Sequence, residues 1–232
     1  IQNSIYGVDI DDYAVEITKL RLWLSLIEDE INYTEIEPLP NLDFKIVQGN
    51  SLLEEYNGIN IGSSIFVKKN KNLDLFTNND LIEELIKNLA ILQNTYFKTI
   101  SYSKKILIKK EIELLMMNIL TNVLNEKKSS NLDTKENNED LKNIFSSRFK
   151  RNCFPWGIFF ADVFYNNKGF DIVIGNPPYV DSEEMVRSDK KLRDKYTSIY
   201  PSAEGNWDLF VIFCELGFNL LKENGVISFI VK

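Results

Sequence analysis

The sequence contains no histidine, and its only two cysteines, Cys153 and Cys214, lie far apart. The lack of histidine excludes Ser-His-Asp and Cys-His catalysis and every histidine-ligated metal site. The separated cysteines match no metal or redox spacing, which indicates reduced thiols in a cytoplasmic protein. No charged segment followed by an apolar stretch opens the chain, and no apolar run reaches transmembrane length, so we expect a soluble protein that is not exported and has no membrane partner.

Positive charge is also scarce, because 27 lysines and arginines stand against 34 acidic residues and give a net charge of −7. A free-standing DNA-binding domain is usually basic, since phosphate neutralisation supplies most of its non-specific affinity. The chain begins with "IQNSIYGVDI" and ends with "GVISFIVK", both of which resemble core strands cut from a larger protein. Binding to nucleic acid would therefore require basic segments elsewhere in a longer polypeptide.

Glycine and proline are absent from residues 79–127, where apolar residues recur at helical spacing. This stretch predicts two long helices that form a hairpin. The polar stretch after it predicts a mobile linker near residues 127–137. We therefore assign residues 59–150 to a mainly helical insertion, which serves either as a structural element or as a partner-binding arm.

The two flanking segments, residues 1–58 and 151–232, show an α/β pattern. The first combines a strand, an acidic turn and a helix, and the second contains a helix that the sequence predicts to end at Gly225. Predicted strands lie near residues 4–9, 44–48, 171–175 and 225–231. The apolar stripe predicted for the first helix consists of Ala14, Ile17, Leu20, Leu24 and Ile27. The two segments together predict one α/β core that the insertion interrupts.

Polar side chains close the first two predicted strands. Asp9 ends the first strand, where nucleotide-binding α/β sheets hold their ligands and where an acidic residue commonly accepts hydrogen bonds from ribose hydroxyls. Asn50 ends the second strand, and its amide can read an adenine edge because it both donates and accepts. Each has a structural alternative, since Asp9 could cap the following helix and Asn50 could belong to an Asn-Gly-type turn.

The tetrapeptide "NPPY", residues 176–179, follows the third predicted strand. Pro177 biases Asn176 toward an extended conformation, so the backbone aims the amide side chain. The rings of Pro177 and Pro178 hold the peptide carbonyls rigid, and a pair of fixed acceptors suits an NH₂ group with two hydrogens to donate. Tyr179 offers a flat face for a stacked base. We interpret the motif as an amino-group holder beside an aromatic platform, with a rigid turn as the alternative.

Four blocks of the chain resemble amino-methylating DNA methyltransferases, in the order "IYGVDIDDYAVEITKLRLWLSL", "GNSLL", "FDIVIGNPPYV" and "WDLFVIFCELGFNLLKENGVISFIV". They are most similar to N6-adenine-specific enzymes of type II (IIG/IIS-like) restriction-modification systems, as is the run from Trp156 to Phe164. The resemblance implies a partial Rossmann-like fold that binds S-adenosylmethionine and carries a long helical insertion. It also implies methylation of adenine within a specific sequence of double-stranded DNA.

The same resemblance implies a role for each candidate cofactor residue. Asp9 would bind the ribose hydroxyls of S-adenosylmethionine, and Ile10 would pack on its adenine. Asn50 would meet the adenine amino group, while the Ser51 backbone would meet the ring. A further block would help to line the cofactor pocket and consists of Asp208, Leu209 and Phe210.

The resemblance assigns the NPPY motif to catalysis. Asn176 and the carbonyl of Pro177 would accept hydrogen bonds from the N6 amino group of a flipped-out adenine. Pro178 would help to hold this loop, and Tyr179 would stack on the base. No metal is implied.

Two parts of the resembling family are missing, namely the glycine-rich cofactor loop one strand before Asp9 and the target-recognition domain after the last strand. We therefore expect the chain to act with the rest of its polypeptide, with or without a nuclease domain, and to be inactive alone. Two alternatives stay open. One is a protein glutamine N5-methyltransferase, which also uses Asn-Pro-Pro-Tyr but lacks a helical arm. The other is a non-catalytic methylase-like assembly or specificity module.

Overall fold

The computed structural model describes residues 4–28, 42–56, 59–61, 79–127 and 152–231. The chain forms two compact units that divide between Tyr165 and Asn166. Each unit combines helices with a pair of parallel strands, so the chain is a mixed α/β protein. Within the described ranges, no helix is both long and apolar enough to cross a membrane.

In the first unit, strands β1 (Gly7–Asp9) and β2 (Ile46–Gln48) form a parallel pair, and helix α1 (Asp12–Glu28) follows β1. Parallel strands need a long crossover connection, of which α1 is a part. The register places Asp9 opposite Gln48. Both strands therefore end at the same edge of the pair, which is the arrangement that the strand and helix predictions imply.

Helix α1 buries a different face from the predicted one. Val15 is 4% exposed and lies in a small core with Leu42 and Ile46, against which Leu22 packs. Three residues of the predicted stripe are instead about half exposed, namely Ile17, Leu20 and Leu24. Six of the eight residues from 20 to 27 are apolar, so apolar side chains surround this part of the helix and periodicity does not select one face. The contact with β2 determines which face of α1 is buried.

Helices α2 (Asn79–Lys98) and α3 (Tyr102–Lys127) pack against each other, which confirms the predicted hairpin. The hairpin also packs on the segment that leads into β2. The Tyr96 ring lies edge-on to the Phe44 ring at 5.2 Å between centroids, and Lys109 pairs with Asp43 at 2.6 Å. The mobile linker predicted near residues 127–137 lies, beyond Lys127, outside the described residues.

Four short elements complete the first unit. Strands β3 (Glu55–Tyr56) and β4 (Ile59–Asn60) pair antiparallel, and helices α4 (Trp156–Phe159) and α5 (Ala161–Asn167) come later in the chain. Around α4 lies a buried aromatic cluster with ring centroids 4.6 to 5.7 Å apart, formed by Phe154, Trp156, Phe159 and Phe160. This cluster gives the middle of the unit a rigid apolar centre.

A buried ion pair joins the entry of β2 to α5. The Lys45 ammonium lies 3.0 Å from the Asp162 carboxylate and 2.5 Å from the Tyr6 hydroxyl, which donates to the same carboxylate at 2.5 Å. Burial lowers the pKa of Lys45, an effect that the Asp162 charge opposes. Burial, and then the Asp162 charge, raise the pKa of Tyr6, so the phenol keeps its proton. Gln93 of α2 accepts from the backbone N–H of Asp162 at 3.1 Å and so ties the hairpin to this cluster.

The second unit consists of β5 (Phe170–Gly175), α6 (Ser182–Ile199), α7 (Leu209–Leu220) and β6 (Leu221–Phe229), with β5 and β6 parallel. Helix α6 begins after Asp181, whose side chain accepts a hydrogen bond from a backbone N–H in the first turn. Such a cap satisfies one of the helix's unpaired donors and fixes its starting point.

Helix α7 ends five residues before the predicted stop at Gly225. Leu221 is already extended and pairs with Phe170, so these residues belong to β6. Asn224 adopts a left-handed conformation at φ 64°, which asparagine tolerates better than most residues. The chain turns at Asn224 and Gly225 before the regular pairing with β5 resumes at Val226.

One face of the β5–β6 pair is covered by α7, where Gly217 lies so close to Ile227 and Phe229 that a Cβ would not fit. On the other face, three side chains are 60–76% exposed, namely Ile172, Ile174 and Val226. Among the described residues, β5 pairs with β6 alone and β1 with β2 alone. The predicted single sheet is therefore not formed within these ranges, and the Rossmann-like arrangement stays a prediction.

Candidate functional site

The end of β1 carries an exposed carboxylate beside an exposed apolar side chain. Oδ1 of Asp9 accepts a hydrogen bond from Asp11 N at 2.8 Å, so one carboxylate oxygen shapes the turn before α1. In the first turn of α1, the Tyr13 N–H donates to Oδ1 of Asp11 at 2.9 Å and not to Asp9. The Asp9 carbonyl accepts from Gly49 N at 2.8 Å, and the Gln48 side chain donates to the Ile10 carbonyl at 3.0 Å. Ile10 is 53% exposed. These contacts tie the end of β1 to the end of β2.

The segment after β2 forms a tight turn that begins at Asn50. Its Oδ1 accepts from Leu52 N at 3.1 Å, and its carbonyl accepts from Leu53 N at 3.2 Å. Gly49 lies close to the side chain of Phe154. A Cβ at position 49 would be only 2.7 Å from the Phe154 ring, so this position needs glycine.

The turn at residues 50–54 is held from outside by the segment 154–156. Phe154 N donates to the Leu53 carbonyl at 2.6 Å, the Trp156 indole N–H donates to the Ser51 carbonyl at 3.0 Å, and Trp156 N donates to Oε1 of Glu54 at 3.0 Å. Desolvation raises the pKa of Glu54 to about 7, against the opposing effect of this hydrogen bond. Glu54 is thus a carboxyl group that titrates near neutral pH beside a candidate binding turn.

The NPPY loop leaves the carboxyl end of β5. Asn176 is exposed, Pro177 is buried, and Tyr179 keeps 54% of its surface exposed. The Pro178 carbonyl accepts from Val180 N at 2.9 Å, so this carbonyl is engaged within the loop. The Pro177 carbonyl accepts no such bond within the described residues, and its role as an acceptor for a substrate amino group stays a prediction.

The block at residues 208–210 is tied to the NPPY loop. Leu209 N donates to the Val180 carbonyl at 3.0 Å, and Oδ1 of Asp208 accepts from Ser182 N at 3.3 Å. Leu209 and Phe210 are partly buried, whereas Asp208 is exposed. The start of α7 therefore supports the loop that precedes α6.

Within each unit, the described contacts bring the predicted residues together. The first unit holds the cofactor candidates Asp9, Ile10, Asn50 and Ser51 at one strand edge. The second unit holds residues 176–179 and 208–210 around the end of β5.

Sequence reasoning missed three residues that support these turns, namely Gln48, Glu54 and Trp156. The density of aromatic residues in "FPWGIFF" was the available signal for a packed cluster around Trp156. No signal marked Glu54, because a glutamate after two leucines is usually solvated.

Residues 3–232 match the family model described as Eco57I restriction-modification methylase. The chain belongs to this family. The match confirms the resemblance that the four sequence blocks indicate. The match also covers the helical hairpin, which contains none of the four sequence blocks.

Named relatives agree with the Eco57I family assignment. The whole chain is 28% identical to a protein of Methanocaldococcus jannaschii named as a type II restriction enzyme and methyltransferase, and covers 22% of it. A stretch of 28% of the chain is 37% identical to a type II restriction enzyme and methyltransferase of Escherichia coli, over 6% of that protein. A stretch of 26% of the chain is 43% identical to a type II methyltransferase of Geobacillus stearothermophilus, over 10% of its length.

The chain thus spans about a fifth or less of the length of these relatives. No solved structure matches the chain significantly.

Proposed function

We propose that the chain is part of an enzyme that transfers a methyl group from S-adenosylmethionine to N6 of adenine in a specific sequence of double-stranded DNA. The NPPY loop carries this proposal. Within the described residues, neither the Asn176 side chain nor the Pro177 carbonyl has a hydrogen-bond partner, and Tyr179 is more than half exposed beside them. Membership of a restriction-modification methylase family supports the same reaction.

Residues at the ends of β1 and β2 fit the nucleoside part of the cofactor. The exposed Asp9 carboxylate can accept from two neighbouring ribose hydroxyls, and the exposed Ile10 offers an apolar surface to adenine. Asn50 and the Ser51 backbone would meet the adenine. The role of Phe210 as a lining residue of a cofactor pocket stays a prediction. When bound, S-adenosylmethionine supplies an electrophilic sulfonium methyl group.

Asn176 and Pro177 act on the nitrogen that accepts the methyl group. An exocyclic amine is a poor nucleophile because its lone pair is delocalised into the ring. Two fixed acceptors that draw on its hydrogens favour a tetrahedral nitrogen and free the lone pair for in-line attack. Asparagine does not titrate near neutral pH, so its contribution is positioning and electrostatic stabilisation.

The target adenine must leave the duplex to reach this loop. Stacking on Tyr179 offsets part of that cost, since base–aromatic stacking is worth about 1–3 kcal/mol. The chain's net charge of −7 leaves most of the phosphate contacts to basic segments elsewhere in the polypeptide. A DNA substrate of this kind fits a cytoplasmic enzyme.

The test uses the full-length protein, labelled S-adenosylmethionine and three substrates. These are duplex DNA, the same DNA with every adenine replaced by N6-methyladenine, and a release-factor protein. We expect label on the unmodified duplex alone. Label on the release factor would instead support a glutamine methyltransferase. Cofactor binding without transfer to any substrate would support a non-catalytic module.

A further inference from the structure

We propose that Trp156 and Glu54 are positioning residues that hold the Asn50–Ser51 turn in the shape that receives the cofactor's adenine. The proposal rests on the proposed function and extends it to the segment 154–156, which contributes none of the candidate ligand-contacting residues. We call the three hydrogen bonds from this segment to residues 51–54 the aromatic brace.

The aromatic brace joins parts of the chain that are more than 100 residues apart in sequence. Its bonds run from Phe154 N to the Leu53 carbonyl, from Trp156 N to the Glu54 carboxyl and from the Trp156 indole to the Ser51 carbonyl. One group each of Ser51, Leu53 and Glu54 is therefore fixed to one rigid segment.

The segment that provides the brace is itself immobilised. Phe154 and Phe160 are fully buried and Trp156 is 9% exposed, with the Trp156 ring edge-on to both neighbours at 4.9 and 5.7 Å. The Gln93 side chain donates to the Phe159 carbonyl at 2.9 Å and so anchors the segment to α2. The turn is thus held by a packed core and not by another mobile loop.

The geometry of the turn links the brace to Asn50. The indole fixes the Ser51 carbonyl, which belongs to the same peptide plane as Leu52 N. That N–H in turn donates to Oδ1 of Asn50. Loss of the indole N–H therefore loosens the group that orients the Asn50 side chain. The expected consequence is weaker binding of adenine, with no direct effect on the NPPY loop.

The decisive variant is Trp156→Phe in the full-length protein, which keeps an aromatic ring but removes the indole donor. We expect the Kd for S-adenosylhomocysteine, measured by calorimetry, to rise about 3- to 10-fold, the usual effect of one lost hydrogen bond. The Kd for adenosine should rise by the same factor, and kcat at saturating cofactor should stay within about twofold. Trp23→Phe makes the same change on α1 and should leave both affinities unaltered.

A second pair of variants tests the brace should Trp156→Phe fail to fold. Glu54→Gln keeps an oxygen acceptor for Trp156 N and should bind S-adenosylhomocysteine as the parent does, whereas Glu54→Ala should bind it about 3- to 10-fold more weakly. In the cofactor-free protein, hydrogen exchange at Leu52 N should be faster in Trp156→Phe and in Glu54→Ala than in the parent.

The outcomes separate this proposal from the proposed function. If the parent binds the cofactor and Trp156→Phe and Glu54→Ala bind it equally well, the brace has no positioning role and the proposed function stands. If the parent methylates DNA but the adenosine Kd is unchanged while kcat falls, the brace acts elsewhere and the proposal is wrong. Absence of any cofactor binding by the parent would overturn both.

Discussion

The first unit contains a buried ion pair, whereas an ion pair of the second unit lies at the surface. The side chains of Lys45 and Asp162 are 2% and 6% exposed, but those of Lys222 and Asp171 are 38% and 68% exposed. Loss of one partner leaves a buried charge unpaired, while water replaces a lost partner at the surface. We therefore expect loss of the lysine to cost more stability at Lys45 than at Lys222.

The candidate loops of the two units are also held in different ways. The turn at residues 50–54 is fixed by hydrogen bonds from a distant segment. The NPPY loop is fixed largely by its own prolines, which restrict φ without any partner, together with the bond from Leu209 N to the Val180 carbonyl. Distant substitutions should therefore disturb the first loop more than the second.

The largest expected effect is on stability. Lys45→Met should lower the free energy of unfolding of the first unit by about 3–5 kcal/mol, because it leaves Asp162 charged and buried. Hydrogen exchange at the β2 amides measures it. The matched exposed variant, Lys222→Met, should change stability far less. If both variants lost the same free energy of unfolding, the buried and the exposed ion pair would not differ in their contribution to stability.

The second prediction concerns Asn176 in the full-length protein. Asn176→Ala should lower kcat about 100- to 1,000-fold, since one preorganised contact to the reacting group is lost, while cofactor affinity and unfolding stay unchanged. Asn176→Asp keeps an oxygen acceptor and should retain more activity than Ala. Asn219→Ala, an exposed change on α7, serves as the control. Wild-type kcat in Asn176→Ala would refute the amino-holder role.

The third prediction concerns the pH dependence of stability in the first unit. Desolvation raises the pKa of Glu54 from 4.5 to about 7, so the folded state keeps a proton that the unfolded state loses between these values. The free energy of unfolding should therefore fall as pH rises through this window, by up to about 3 kcal/mol. Glu54→Gln should lack this loss and exceed the parent's stability above pH 7, as denaturant titrations at pH 4 and 8 would measure. Parallel pH profiles would contradict the raised pKa.

A fourth, smaller effect is expected at Asp9. Asp9→Ala should weaken cofactor binding by about 1.5–3 kcal/mol through loss of charge-assisted hydrogen bonds, or roughly 10- to 150-fold in Kd. Calorimetry measures this change, with Asp12→Ala as the control, because Asp12 is an exposed carboxylate of the same turn. Unchanged affinity would leave Asp9 as a turn-forming residue only.

The smallest effect is expected at the surface of the second unit. The hydrogen bond and charge of Lys222 lower the pKa of Asp171. Lys222→Met should let this pKa return toward its ordinary value, which an NMR titration of the carboxyl would detect. A large shift of the unfolding midpoint in the same variant would mean that the second unit depends on this pair.

Local sequence signals predicted the elements whose structure is decided locally. Residues 79–127 contain no glycine or proline, which favours helix over turns, and the structure has the two helices of the hairpin there. The strand before Asn176 was marked by an apolar run and then by prolines that cannot continue a ladder. The ends of these elements could be read because each depends on a few neighbouring residues.

Contacts between distant residues could not be predicted in this way. Lys45 pairs with Asp162, and Trp156 bonds to Ser51, across more than 100 intervening residues. The sequence around each of these four residues is no different from that around an exposed residue of the same type. The prediction of which face of α1 is buried was wrong for a related reason. Val15 is buried because it packs with Ile46, a contact that helical periodicity does not reveal.

The pairing of Phe170 with Leu221 has a consequence for synthesis of the protein. The two strands are separated by about 50 residues, and ribosomes add about 5–20 residues per second, so β5 emerges roughly 3–10 seconds before its partner exists. During that interval β5 lacks the strand with which it pairs in the described residues. Faster translation of α6 and α7 should shorten the time during which β5 is unpaired.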